Sequence, residues 1–330
     1  MEISKLPKVS VCTPTYNRRP FIPMMLKCFE HQTYPKELIE WIIVDDGTDK
    51  IEELVTHLPN VKYFKIEEKV TLGKKRNVAH QHCTGDIIVY MDDDDYYPPE
   101  RISHAVEALQ KNPDKLCAGS SKMHIYFKHI KKMYTLGPYK ENHATAATFA
   151  FRKEMLKLTS YQDEACMAEE MHFLKNYSIP MVQLDSLKTI LIFSHNQNSF
   201  DKKTLLTQVN SPYIKESALK VSDIISDRLI YDFFMVGIDK ILSEYSPGDI
   251  KNKPDVQLAQ ANITLDREIK FRIMVQEDNS KLLNDLRNTS TKIKQLEMDN
   301  KLLIDKNVYL NEKIKKIIRE EIDKRRPGIV

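Results

Sequence analysis

Apolar and polar positions in the first half of the chain follow two alternating periods. Short, β-branched apolar runs at 9–13, 39–44, 61–66 and 86–91 read as buried strands. Between and after them, 21–31, 51–57, 74–82 and 99–111 carry the wider spacing of amphipathic helices. Strand and helix in this alternation predict an α/β fold with a mostly parallel, doubly wound sheet covered by helices on both faces. Ligands of such sheets gather beyond the carboxyl ends of the strands. At those ends this chain is acidic: Asp45-Asp46-Gly47-Thr48 closes the second predicted strand and Asp92-Asp93-Asp94-Asp95 the fourth.

From 114 to 195 the pattern is less regular, with strands predicted at 116–120, 123–128, 181–184 and 186–194. From Ile214 a helical region is expected, with Val221, Ile225, Arg228/Leu229 and Phe233 on one face. Ser246-Pro247-Gly248-Asp249 and Asn252-Lys253-Pro254 read as linker punctuation. The last part is heptad-patterned. Leu286, Ile293, Asn300, Asn307 and Ile314 take position a, while Leu282, Thr289, Leu296, Leu303, Leu310 and Ile317 take position d. Leu at d with Asn recurring at a is the pattern of a parallel two-stranded coil, in which a buried Asn fixes register at some cost in stability. The expected organisation is a sheet domain over 1–200, a helical extension and linker over 201–275, and a coiled coil over 276–326. That coil would pair two copies of the chain through the Leu282 to Ile317 heptads and end at Arg325-Arg326-Pro327-Gly328.

Composition narrows the function classes. With 42% hydrophobic and 29% charged residues the chain is not of the disordered class, and a net charge of +3 gives no general attraction to nucleic acid or membrane. The five cysteines are scattered, without a CxxC or Cys-His cluster, so neither a disulfide framework nor a zinc site is expected. Met1 to Lys8 lacks the apolar run of a secretion signal, and no stretch approaches the roughly 20 apolar residues of a membrane span. A cytoplasmic setting is therefore expected, that of a bacterium or of a virus-infected host given the abundant Lys, Ile and Asn.

Three segments carry candidate chemistry. Four consecutive carboxylates after a buried strand repel one another unless a cation separates them, and Mg²⁺ or Mn²⁺ suits such oxygen ligands together with phosphate. A solvated acidic loop is the alternative, although an abrupt switch from buried strand to four acids is less common there. Asp45 or Asp46 could accept from a base N–H or a ribose hydroxyl, and alone would read as an Asp-Gly turn. Gly73-Lys74-Lys75-Arg76-Asn77 supplies cations for phosphate or base, or simply a basic helix face.

Taken together, these pieces resemble the family 2 glycosyltransferases of the GT-A fold, a Rossmann-like architecture. The resemblance is carried by Val9-Ser10-Val11-Cys12-Thr13-Pro14-Thr15-Tyr16-Asn17-Arg18, Ile42-Ile43-Val44-Asp45-Asp46-Gly47-Thr48, Gly73-Lys74-Lys75-Arg76-Asn77-Val78-Ala79, and Gly85-Asp86 through Asp95. It covers about the first 200 residues. It implies that Thr13, Pro14, Thr15 and Tyr16 line the nucleotide base, with Arg18 in the same segment and Asp45 or Asp46 accepting from the base. Lys74 and Arg76 would flank base or phosphate. Asp92-Asp93-Asp94 resembles the family's DxD motif, with Asp92 and Asp93 facing ribose and Asp94 on the metal, where Asp92 and His195 are further candidate ligands. His195 as a plain loop histidine is the alternative.

The family often places Glu-Asp at the head of a helix, the Asp serving as general base. Here Ala168-Glu169-Glu170-Met171 stands at that place. Glu170 is the candidate base, one methylene longer than Asp, and Glu169 is the alternative. The implied activity is inverting, metal-dependent transfer of one sugar from a nucleotide-diphosphate sugar, a UDP-sugar first, to a glycan or other hydroxyl acceptor. Processive synthases of the family share Gln-x-x-Arg-Trp and membrane spans, whereas the single tryptophan here, Trp41, lies in a predicted strand. Three rivals stand beside this reading: a sugar-phosphate nucleotidyltransferase, which would want a glycine-rich loop after strand one, a metal-dependent phosphohydrolase, and a coiled-coil scaffold with a degenerate enzyme domain.

Overall fold

Parallel strands buried on both faces should be apolar at nearly every position, and the first strand meets this without exception. In the computed structural model, which describes residues 6–207 and 211–324, all of β1 (Val9–Thr15) is buried. It pairs in parallel with β2 (Ile39–Asp45) on one side and β4 (Ile87–Tyr90) on the other, and β2 pairs in parallel with β3 (Val61–Lys65). Successive side chains divide between two cores, as the two-residue period requires. Val9, Val11, Trp41, Ile43, Ile87 and Val89 enter the core under α1 (Ile22–Glu30) and α4 (Arg101–Lys111). Cys12, Ile42, Val44, Ile88 and Tyr90 enter the opposite core, under α3 (Leu72–His82). The valine and isoleucine side chains among them contribute about 1.5–3 kcal/mol each on burial. A short helix, α2 (Glu52–Val55), joins β2 to β3.

The sheet continues as β3-β2-β1-β4-β8-β5-β9, with β5 (Cys117–Gly119), β8 (Ala150–Arg152) and β9 (Met181–Gln183). It is parallel only in part, because β8 runs antiparallel to both β4 and β5. A second sheet, ordered β10-β6-β7-β11, is formed by β6 (Met123–Phe127), β7 (Lys132–Leu136), β10 (Leu191–Ser194) and β11 (Ile214–Glu216). Helix α5 (Glu170–Phe173) precedes β9.

The strand order reverses between β1 and β4, which creates the switch point where ligands of such sheets bind. The β1–β4 register ends at Cys12, so Pro14, which lacks an N–H, is paired only with β2 and withholds no donor from β4. Past this point the two strand ends are joined by a side chain: Thr13 Oγ1 donates to the Met91 carbonyl at 2.6 Å.

Beyond β10 the structure departs from the sequence expectation. Residues 214–216 are a strand, Val221–Asp223 is a 3-10 turn, and α-helix begins only at α6 (Arg228–Asp232), followed by a π-helical turn, Phe233–Gly237, and α7 (Ile238–Glu244). The break before Arg228 shifts the buried face. Val221 and Ile225 are buried as expected, but the face continues through Ile230, Phe234, Ile238 and Leu242, while Leu229 is 58% exposed. Residues 246–253, read as linker, are packed short 3-10 turns, and α8 (Pro254–Lys324) starts immediately afterwards as one continuous helix. The chain divides into two units, Met1–Ala261 and Asn262–Val330. In the second, the heptad residues Leu282, Leu286, Ile293, Leu296, Leu303, Leu310, Ile314 and Ile317 are all exposed on the single chain. The expected terminator at 325–328 lies outside the described residues. Among the described residues no helix is long and apolar enough to cross a membrane.

Candidate functional site

The site is built where β1 and β4 end. After β4, Asp93 and Asp95 are buried while Asp92 and Asp94 are half-buried. Asp95 is structural: its Oδ1 accepts from the Phe193 N–H at 3.2 Å, which ties the acidic loop to β10. The other three face cations. Arg18, 4% exposed on the loop after β1, places Nη2 3.2 Å from Asp94 Oδ2 and Nε 3.6 Å from Asp93, and donates to the Gln197 carbonyl at 2.9 Å. His195, at the end of β10, brings Nε2 to 3.4 Å from the same Asp94 oxygen. Arg76, on α3, lies 3.5 Å from Asp92 and 3.0 Å from Glu169, with its guanidinium carbon 4.4 Å from the Tyr90 ring centroid. The sequence-predicted residues thus form two contact groups, Glu169–Arg76–Asp92 and Asp93–Arg18–Asp94–His195, set side by side by the consecutive residues Asp92 and Asp93.

Burial sets the protonation states. It works to raise Asp94, yet Arg18 and His195 hold this carboxyl well below the usual carboxylate range. Asp93 is pushed up to about 7 by burial and by Asp94 beside it, and Asp92 is raised, mainly by burial. Burial lowers His195 to about 4, so the imidazole is neutral near pH 7. It also opposes the Arg76 charge, an effect that Asp92 and Glu169 overcome.

The two acids at 169 and 170 are differentiated by this arrangement. Glu169 is buried and committed to Arg76. Glu170, the first residue of α5, is half-buried with no cation within ion-pair distance among the described residues. Burial and the neighbouring Glu169 carboxylate raise it to about 7. A carboxyl titrating near neutrality is suited to receive a proton at neutral pH.

Other predicted residues are placed differently. Thr13 is fully buried, its hydroxyl accepting from Trp41 Nε1 at 2.9 Å while donating to Met91, and Pro14 is buried beside it in β1. Asp45 is occupied by its own loop. Oδ1 accepts from the Gly47 N–H, and Oδ2 from the Ile51 N–H and the Tyr63 hydroxyl, at 2.8, 3.1 and 2.7 Å. Asp46 accepts from the Val70 N–H at 2.8 Å and pairs with Lys75. Lys74 is exposed, and Lys75 takes the buried position, donating also to the Thr15 carbonyl at 2.8 Å. The helical period decides this: Lys75 and Arg76 turn inward from α3, whereas Lys74 turns out. Gly73 fixes the start of that helix, since a Cβ there would run into the Gln162 carbonyl oxygen.

Residues 245–256, which sequence reasoning did not place at the site, cross the loop after β1. The Tyr16 hydroxyl donates to the Asn252 carbonyl at 3.0 Å, and Asn17 Nδ2 to the Pro247 carbonyl at 2.9 Å. Gln197 Nε2 donates to the carbonyls of Tyr245 and Leu242 at 2.6 and 3.2 Å. Lys253 is 3% exposed, with Nζ 3.2 Å from Ser199 Oγ and 5.7 Å from the Tyr16 ring centroid. A lysine beside a proline reads locally as turn punctuation, so no signal in the sequence marked it.

The residues also bear on the divalent ion that the family resemblance implies. Among the described residues no three His, Cys, Asp or Glu side chains converge on one point. Asp94 and His195 do converge, Asp93 Oδ2 is buried without a protein partner, and a neutral imidazole with carboxylates is a donor set that Mn²⁺ or Mg²⁺ can complete with phosphate oxygens.

Residues 10–166 match the family described as Glycosyl transferase family 2. The poly(ribitol-phosphate) β-N-acetylglucosaminyltransferase TarS of Staphylococcus aureus is 32% identical over 110 residues, which are 32% of this chain and 19% of that protein. An uncharacterized glycosyltransferase of Haemophilus influenzae is 28% identical over 107 residues, 32% of this chain and 36% of the relative. The chain therefore spans about a fifth to a third of the length of these curated relatives. The crystal structure of S. aureus TarS 1–349 is similar with a TM-score of 0.47 at 24% identity, covering 57% of this chain and 60% of that one. The mannosyltransferase PcManGT of Pyrobaculum calidifontis, solved with GDP-Man and Mn²⁺, also has a TM-score of 0.47, at 16% identity, covering 80% and 76% of the two chains.

Proposed function

The chain belongs, through residues 10–166, to glycosyl transferase family 2 with a domain of GT-A type, and from that premise we propose that it transfers a single sugar from a nucleotide-diphosphate sugar to an acceptor hydroxyl with inversion. The observation that carries this reading is the division of labour between adjacent acids, Glu169 neutralised by Arg76 and Glu170 left without a cation and raised to about 7. Inversion needs one base and no nucleophile. Glu170 would take the proton of the attacking hydroxyl, a contribution of about 10²–10⁴ in rate.

Arg18, Lys75 and Arg76 supply positive charge on the side where the diphosphate leaves, and Tyr16 offers a ring face to the base. Asp94 and His195, with Asp92 alongside, are the residues that would hold a Mn²⁺ or Mg²⁺ ion, whose chemistry there is to offset charge on the leaving diphosphate. The N-acetylhexosamine in the staphylococcal relative's name is one that cells activate as a UDP ester, which favours a UDP-sugar donor and a glycan or other polyol acceptor. The exposed heptad stripe of α8 supports a parallel homodimer.

Titration calorimetry of UDP-, GDP- and TDP-sugars with and without Mn²⁺ tests the reading. Binding of at least one donor is expected, strengthened by the ion. Failure of every donor to bind would remove the transferase reading.

A further inference from the structure

We propose that Lys253, on the segment that crosses the loop after β1, is a ligand of the donor's diphosphate, so that the binding site is completed by residues beyond the 10–166 family match. The inference rests on the donor reading above.

Three ammonium groups surround the Tyr16 ring: Lys69, Lys75 and Lys253 lie 5.3, 5.7 and 5.7 Å from its centroid. Lys69 is paired with Asp255 and Lys75 with Asp46. Lys253 is the least exposed of the three and, among the described residues, has no carboxylate within ion-pair distance. Its polar partner is the neutral hydroxyl of Ser199, 3.2 Å away. A buried ammonium without a counter-ion is expensive, and proteins pair such groups or reserve them for an anion. Burial, and then the Arg18 charge, push the Lys253 amine down to about 6 against the opposing pull of Asp94 and Asp93, and an arriving anion would favour its protonated form.

Arg18 Nη1 is buried without a protein acceptor. Two basic side chains with donors to spare, set beside an acid cluster, fit a ligand carrying several phosphate oxygens. The backbone holds Lys253 in place independently of its side chain. The Asn252 carbonyl accepts from Tyr16, and the Lys253 carbonyl accepts from the Gln257 N–H at 3.1 Å in the first turn of α8. Replacing the side chain should therefore alter binding before it alters the fold.

The test uses the full chain with Lys253→Met and Lys253→Arg, and calorimetry with UDP, GDP, TDP and CDP and with their nucleosides. The wild type is expected to bind at least one nucleoside diphosphate. Lys253→Met should weaken that binding by about tenfold or more, the effect of one charge-assisted hydrogen bond, and leave nucleoside affinity within about twofold. Lys253→Arg should restore most of the loss, and melting temperatures confirm that each variant is folded. Diphosphate affinity unchanged in Lys253→Met, or equal losses for nucleoside and diphosphate, would overturn the role of Lys253 while leaving the donor reading intact. Wild-type protein that binds none of the diphosphates would overturn both.

Discussion

Replacing Glu170 with Gln removes one ionisable group and leaves a side chain of nearly the same shape, so its effect can be worked from the surroundings. Glu169 stays paired with Arg76 at 3.0 Å, and that pair does not involve the Glu170 carboxyl. Arg76 therefore keeps its position, and donor affinity should stay within about twofold. Turnover should fall by about 10²–10⁴, the usual contribution of a positioned base. Glu170 titrates near 7, raised by burial and by Glu169. The base acts only when ionised, so wild-type kcat should decline as pH falls through 7, about tenfold per pH unit below it.

Glu169→Gln makes the converse prediction. Removing the neighbouring negative charge, and freeing Arg76, both favour ionisation of Glu170. The acid limb should therefore move to lower pH, while donor affinity drops because Arg76 has lost a partner. The assay is release of nucleoside diphosphate from the donor the wild type binds, measured between pH 5 and 9 (a range set around the about 7 of Glu170). Glu170→Gln turning over within threefold of wild type, or a flat wild-type profile down to pH 5, would refute the assignment of the base.

The remaining predictions concern assembly and stability. Light scattering should give the mass of two chains, and Leu296→Asp with Leu303→Asp should give one, since each d-position leucine contributes about 1.5–3 kcal/mol when buried. A wild-type mass of one chain would exclude the paired coil. Gly73→Ala should lower stability by about 1–3 kcal/mol in urea unfolding, because the new methyl group meets the backbone at Gln162, and should weaken donor binding through displacement of Lys75 and Arg76. An unchanged midpoint would mean that this contact yields.

The parts of the fold legible in the sequence are those where one period runs without interruption. Strands β1, β2 and β4 are buried on both faces and read as nearly unbroken apolar runs, and α1 and α4 as amphipathic stripes. Strands β7, β8 and β11 were not legible: β8 and β11 have 3 residues each, β11 has no buried residue, and β7 opens on an exposed lysine. The helical face after residue 214 was misphased because a strand, a break and a π-helical turn intervene, each of which resets the count of residues per turn. At the site, the acids and Arg76 stood out because they follow strands or begin a helix. Lys74 and Lys75 could not be told apart without knowing which way α3 faces. Thr13 and Asp45 look like ligand groups in a motif, but in the fold their bonds are spent on Met91, Trp41 and the loop from Gly47 to Ile51. Contacts between positions as distant as Tyr16 and Asn252 leave no periodic trace at all.

The crossing segment bears on the order in which the chain is made. Ribosomes add about 5–20 residues per second, so the strands that frame the acid cluster emerge many seconds before Tyr245 to Val256. During that interval Asn17 Nδ2 and the Tyr16 hydroxyl, and Gln197 Nε2 once it is made, have water in place of the carbonyls of Pro247, Asn252, Leu242 and Tyr245. Stopping synthesis at residue 166, where the family match ends, would leave the chain without β9 of the first sheet, without β10 and β11 of the second, and without Glu169, Glu170, His195 and the crossing segment.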